Sequence, residues 1–242
     1  MKPWDYDPSP DIQQSIAEKL TVFPRERDMT HSILRTSWTC CFRAFLKTYL
    51  RLTVVGRENL PASASYVLVA NHSSHLDAVC LAAAVPLPRI HRTFSVAARD
   101  YFFSSFFRSF CSAIFVNALP FDRLEKKRES LELCADVLDV AENVLIMFPE
   151  GTRSLTGEIQ TFKAGIGILT AGTDRLVLPA YIDGAFRAWP KGCKFPRPRR
   201  VRVIIGQPMS FKAAARDKEG FLNVAQQLEN AVRDLAGGVK NA

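Results

Sequence analysis

From residue 52 onward the chain alternates short β-branched, apolar runs with segments of helical period, and this alternation constrains the fold more than any other feature. Strand-like runs fall at 52–55, 66–70, 93–97, 113–116, 144–148, 176–182 and 201–205. Helical patterns lie between many of them, at 76–84, 101–110, 124–140 and 163–171, and a last helix is expected over 221–235. Such an order predicts an α/β layer architecture, with helices packed on a sheet. No internal repeat interrupts it. The Pro- and Arg-rich stretch 189–200 reads as a long surface loop, so 53–242 is expected to be one domain.

Residues 1–52 read differently, as an N-terminal amphipathic helical segment. Ile12, Ile16 and Leu20 recur every four residues, predicting a short helix over 11–23 that Pro24 ends. A second helix is expected over 30–50. Its apolar set is Leu34, Trp38, Cys41, Phe42, Phe45 and Tyr49, and its basic set is Arg35, Arg43, Lys47 and Arg51. Such a helix either lies in a lipid interface or docks its apolar face on the domain. No uncharged apolar stretch reaches eighteen residues, and the Phe-rich run 101–121 is broken by Arg108, so no spanning helix is expected.

The formal charge of +8 points to an anionic partner. Nucleic acid is not expected, because no reading module and no basic-aromatic sheet pattern is present. The six cysteines show no Cys-x-x-Cys spacing, and no secretory h-region follows Met1. The expectation is a reduced protein on the cytoplasmic side of a membrane, held at its surface.

Two polar motifs follow strands directly. The first is Asn71-His72-Ser73-Ser74-His75-Leu76-Asp77 after the run 66–70. A histidine serves as a general base near neutral pH, and a carboxylate can fix its tautomer. Five steps of a regular helix turn roughly 500°, which would leave His72 and Asp77 about 140° apart. The two meet only if His72 lies in the turn and Asp77 in the first helical turn. Ser74 with Asp77 also resembles a capping box, a purely structural role for the same carboxylate. His72, His75 and Asp77 could be read as metal ligands, but no further partners stand at metal-site spacing, and no metal is expected.

The second motif is Phe148-Pro149-Glu150-Gly151-Thr152-Arg153-Ser154. Pro149 and Gly151 shape a turn, while Thr152 and Arg153 offer a hydroxyl and a guanidinium fork suited to an oxyanion. Two weaker signals accompany it. Arg123, in Phe121-Asp122-Arg123, reaches the same place as Arg153 if their strands are neighbours. Pro179, inside the apolar run Val177 to Tyr181, suggests an edge, a bulge or a pocket wall.

In this order the four elements resemble the PlsC-type glycerolipid acyltransferase family, which includes the 1-acylglycerol-3-phosphate acyltransferases. Its N-H-x-S-x-x-D block is met by Asn71, His72, Ser74 and Asp77, and its F-P-E-G-T-R-S block by Phe148 to Ser154 without a substitution. The similarity extends over about 53–208, with one departure at Leu119-Pro120, ahead of the Arg123 block. It implies a mixed, mostly parallel sheet flanked by helices. It implies catalysis by His72 and Asp77, with Arg123, Glu150, Gly151, Thr152 and Arg153 at the acceptor head group and Pro179 in the acyl or acceptor pocket. The donor would be acyl-CoA or acyl carrier protein, the acceptor a lysophospholipid, by default 1-acylglycerol-3-phosphate, with another lyso-lipid or glycerol phosphate as alternatives, and the working surface an anionic membrane; no cofactor is implied. The basic loop carrying Arg187, Lys191, Lys194, Arg197, Arg199, Arg200 and Arg202 fits such a surface, or the phosphates of CoA, or an acidic carrier protein. A hydrolase using the same base lacks support, since no Gly-x-Ser-x-Gly elbow is present. A non-catalytic lipid-binding domain would not need both His72 and Asp77.

Overall fold

The computed structural model describes residues 29–98, 117–122 and 127–240. The expected helices 11–23 and 101–110, the expected strand 113–116 and Arg123 lie outside the described residues.

Among the described residues eight strands form one sheet: β1 (Thr53–Val55), β2 (Tyr66–Ala70), β3 (Thr93–Ala98), β4 (Ala118–Phe121), β5 (Val144–Met147), β6 (Leu176–Asp183), β7 (Arg202–Ile205) and β8 (Met209–Ser210). Their order is β1-β7-β6-β2-β5-β3-β4, with β8 also paired to β6. All pairings are parallel except those of β6 with β7 and with β8. Every residue of β2 and β5 is buried, which accounts for their unbroken apolar sequences: a parallel strand covered on both faces has no polar side to show.

Alternate side chains then feed two cores. Tyr66, Leu68 and Ala70 point to one, Val67 and Val69 to the other. The first core is closed by α1 (Met29–Tyr49) and α2 (Asp77–Ala84). The second is closed by α3 (Lys127–Asp139), α4 (Gly165–Thr170) and α6 (Lys218–Lys240). A short α5 (Ala185–Ala188) follows β6. The mixed, mostly parallel α/β sandwich expected from the sequence is the fold observed.

Two local readings change. A strand forms at 118–121, over Leu119-Pro120, where none had been expected. Proline removes a ladder donor, and β4 tolerates it because it ends the sheet among the described residues. The faces of α1 also differ from the expected division. Arg35 is 1% exposed and donates to the carbonyls of Ile90 (2.7 Å) and Thr93 (2.9 Å). Arg43 donates to Ala82 (3.2 Å) and Val85, at the C-terminal end of α2, where carbonyls lack helical partners and the dipole favours a cation. These arginines therefore face the domain, with Leu46 and Leu50 in its core, while Ile33 and Leu34 are exposed. Helical period assigns residues to faces, but the neighbouring carbonyls draw only Arg35 and Arg43 inward, while Lys47 and Arg51 stay exposed and Phe42 and Phe45 still pack against the core. Among the described residues no helix is long and apolar enough to cross a membrane.

Candidate active site

The two motifs meet because β2 and β5 are parallel neighbours, with Val69 opposite Met147, so both chains leave the sheet at the same end. Asn71 makes the exit from β2 by exchanging two hydrogen bonds with Ile182 of β6, donating to its carbonyl (3.2 Å) and accepting from its N–H (2.8 Å). The chain then turns through His72 to Leu76, and α2 starts at Asp77. His72 is thus outside the helix and Asp77 in its first turn, the one arrangement that lets them meet.

Their contact is a 2.9 Å hydrogen bond between His72 Nδ1 and Asp77 Oδ2. The same oxygen accepts from the Ser73 (2.6 Å) and Ser74 (2.7 Å) amides, and Asp77 is fully buried. The bond from Ser74 N–H is one half of a capping box; in place of the other half, Ser74 Oγ accepts from Leu76 N–H (3.1 Å) and donates to Trp189 O (2.7 Å). Capping and orienting the histidine are therefore one arrangement of one carboxylate.

The second motif clamps this turn from behind. The His72 ring stacks on Phe148 with centroids 4.2 Å apart. Ser154 N–H donates to His72 O (2.8 Å), and His72 N–H donates to Glu150 Oε1 (3.0 Å). Glu150 is 2% exposed, and its other oxygen accepts from Gln160 Nε2 (3.0 Å). Burial pushes its carboxyl up to about 7, opposed by the hydrogen bonds from His72 and Gln160.

A cavity of about 650 Å³ opens beside the pair, within the range of small-ligand sites. His72, Thr152, Arg153 and Lys163 contribute polar lining; Val96, Phe121, Leu131 and Ile166 contribute apolar lining. Gly151 adopts φ +73, and a Cβ there would lie 2.7 Å from Lys163 Nζ, so the lysine lies directly over the turn. A half-buried His75, with Arg153 Nη1 hydrogen-bonded to its Nε2, also lines the cavity.

Of the expected site residues, His72, Gly151, Thr152 and Arg153 therefore line one cavity, with Asp77 bonded to His72 just behind. Two stand elsewhere. Glu150 is not part of the lining; both its oxygens brace the turn. Pro179 is buried within β6, outside the lining, where the antiparallel partner changes from β8 to β7. Its carbonyl accepts from Gly206 N–H (2.8 Å), so its missing N–H also faces that gap, leaving the pairing with β2 intact. Lys163 and Gln160 were not singled out from the sequence, whose only signal there is a lysine just ahead of the Gly165 helix start. Among the described residues no group of three or more His, Cys, Asp or Glu side chains could hold a metal ion.

Fold and site together define an α/β protein with a histidine–carboxylate pair facing a cationic and apolar cavity. The family model for Acyltransferase matches residues 51–183, more than half the chain, and the chain belongs to that family. A 1-acyl-sn-glycerol-3-phosphate acyltransferase of Chlamydomonas reinhardtii is 28% identical over 196 residues, covering 78% of this chain and 55% of the algal one. A Bacillus subtilis protein of the same name is 26% identical over 184 residues, covering 75% and 86%. The chain thus spans about half the length of the algal relative. The crystal structure of the 1-acyl-sn-glycerophosphate acyltransferase PlsC from Thermotoga maritima shares the fold, with a TM-score of 0.62, 23% identity, and coverage of 88% of this chain and 84% of that one.

Proposed function

We propose that this protein moves a fatty acyl group from acyl-CoA or acyl carrier protein to the free hydroxyl of a lysophospholipid, by preference 1-acylglycerol-3-phosphate, giving phosphatidic acid. The observation that carries this reading is the 2.9 Å His72–Asp77 bond at the wall of a cavity that Arg153 and Lys163 also line. The names of the relatives support the same substrates.

A carboxylate only accepts, so His72 donates from Nδ1 and keeps Nε2 as its basic nitrogen. The acceptor hydroxyl gives its proton to Nε2 as its oxygen attacks the thioester carbonyl. The C–S bond then breaks, and the departing sulfur takes that proton from the imidazolium. Asp77 steadies the imidazolium between the two events. A thioester is already activated, so the reaction needs neither a covalent enzyme intermediate nor a cofactor; a positioned base supplies about 10²–10⁴-fold. Arg153 and Lys163 oppose the head-group phosphate, Thr152 adds a hydroxyl, and Arg123 joins them by the family pattern. The apolar lining takes the hydrocarbon chains.

The reaction is placed at the cytoplasmic surface of an anionic membrane, with the protein bound peripherally. In support, the exposed loop residues Lys191, Lys194, Arg197, Arg199 and Arg200 flank Phe195 along the chain, and Phe195 is 79% exposed.

The test is incubation of the purified protein with one acyl-CoA and a panel of lyso-lipids, following free CoA and identifying products by mass spectrometry. Phosphatidic acid from the wild type, and none from His72→Ala, is expected. CoA release with only free fatty acid formed would mean a hydrolase, and no lipid or fatty acid product from acyl-CoA or, in a parallel incubation, from acyl carrier protein would remove the enzymatic reading.

A further inference from the structure

His75 stands three residues beyond His72 in the same turn, and nothing in the proposed reaction uses it. Asp77 bonds to His72, not to His75. His75 instead meets Arg153, whose Nη1 is hydrogen-bonded to its Nε2. A guanidinium has donors only, so His75 must accept, and it is therefore neutral with its proton on Nδ1. Its surroundings agree: burial first, then the charges of Arg153 and His72, hold its pKa down to about 4.

The imidazole is itself fixed in place. Its ring lies 5.1 Å from that of Trp189, tilted by 41°. Trp189 is held by its own Nε1–H to Cys193 O (2.8 Å) and by Ser74 Oγ donating to its carbonyl (2.7 Å). A rigid acceptor thus stands against one nitrogen of a long, rotamer-rich side chain at the cavity wall.

We propose that His75 is a positioning residue that holds the Arg153 guanidinium in place for the acceptor's phosphate. The proposal rests on the reading of Arg153 as a head-group ligand. The choice of side chain has a physical reason. A carboxylate at position 75 would also hold the arginine, but it would cancel the charge that the phosphate needs. A neutral acceptor orients the cation and leaves its charge intact.

Four variants test it, each read for kcat and for the KM of lysophosphatidic acid, with thermal unfolding as the check on folding. H75F keeps a ring against Trp189 but lacks an acceptor; H75Q keeps an acceptor but lacks the ring; R153A removes the partner; H75F/R153A combines the two losses. H75F is expected to raise acceptor KM about tenfold with kcat nearly unchanged, as when a single charge-assisted hydrogen bond is lost. H75Q should recover most of that loss, and the double variant should be no worse than R153A. A normal KM in H75F beside a raised KM in R153A would overturn the role of His75 alone. A defective H75Q with a normal H75F would assign His75 to packing and overturn it equally. An unchanged KM in R153A would remove the head-group reading of Arg153, and this proposal with it. Should H75F fail to fold, H75A replaces it under the same criteria.

Discussion

Replacing Asp77 by asparagine separates the electrostatic work of this carboxylate from its geometry. Asp77 Oδ2 accepts from the Ser73 amide (2.6 Å), the Ser74 amide (2.7 Å) and His72 Nδ1 (2.9 Å). In D77N the amide oxygen must occupy that position, because an NH₂ there would face three donors. The NH₂ then replaces Oδ1, a buried atom with no hydrogen-bond partner, and is left unsatisfied at a cost of about 1–3 kcal/mol. Thermal stability should therefore fall modestly while the turn keeps its shape. The catalytic loss should be larger. An imidazolium and a carboxylate whose charge centres are about 4 Å apart attract by about 4 kcal/mol at an effective dielectric constant near 20. If that attraction develops only as His72 takes the proton, its removal lowers kcat by about a thousandfold. The assay is CoA release at saturating acceptor, beside calorimetric unfolding of both proteins. A D77N enzyme within about threefold of wild-type kcat would show that Asp77 only caps α2, and the base assignment would lose its physical ground.

Glu150→Gln should retain activity, since Gln160 can flip its amide to accept from the new side chain, whereas Glu150→Ala should lower kcat by releasing the His72 turn; the pair is read in the same assay. The Glu150 carboxyl is raised from its ordinary 4.5 to about 7, so the folded state holds its proton more tightly than the unfolded state. That contribution to stability is greatest below pH 4.5 and is lost as pH rises through about 7. Unfolding midpoints over this window should therefore decline less steeply in Glu150→Gln than in wild type. Gly151→Ala should raise acceptor KM by displacing Lys163 and should lower stability by roughly 1–2 kcal/mol, the penalty of a Cβ at left-handed φ. Arg43→Met should lower the unfolding midpoint without changing KM, because it strips a guanidinium from the C-terminal carbonyls of α2, far from the cavity lining.

Much of this site was legible because its chemistry is local. Asn71 to Asp77 and Phe148 to Ser154 each follow a buried strand, and a strand that stops in small polar residues marks the rim of an α/β sheet. The distance argument on His72 and Asp77 needed only helix geometry, and it required the turn that is seen. Residues whose role depends on a partner far along the chain were not legible. Lys163 is unremarkable until Gly151 is seen beneath it, and Glu150 sits in sequence among residues that line the cavity but hydrogen-bonds behind them. Pro179 pointed to a pocket wall because a proline in a strand has several uses; which one applies depended on β7 and β8 exchanging places beside it. Period divides α1 into apolar and basic sets but does not say which members turn inward: Phe42 and Phe45 pack on the core, Arg35 and Arg43 reach the carbonyls of Ala82, Val85, Ile90 and Thr93, and Lys47 is exposed.

The sequence by itself determined the layered α/β class and singled out the histidine, the carboxylate and the arginine-bearing turn, because strand alternation, helix period and turn chemistry act over a few residues. Only the tertiary structure decided which side chains face the cavity, which brace it from behind and which arginines cap a helix, because each of those depends on acceptors brought close by strand order and not by neighbourhood in the chain.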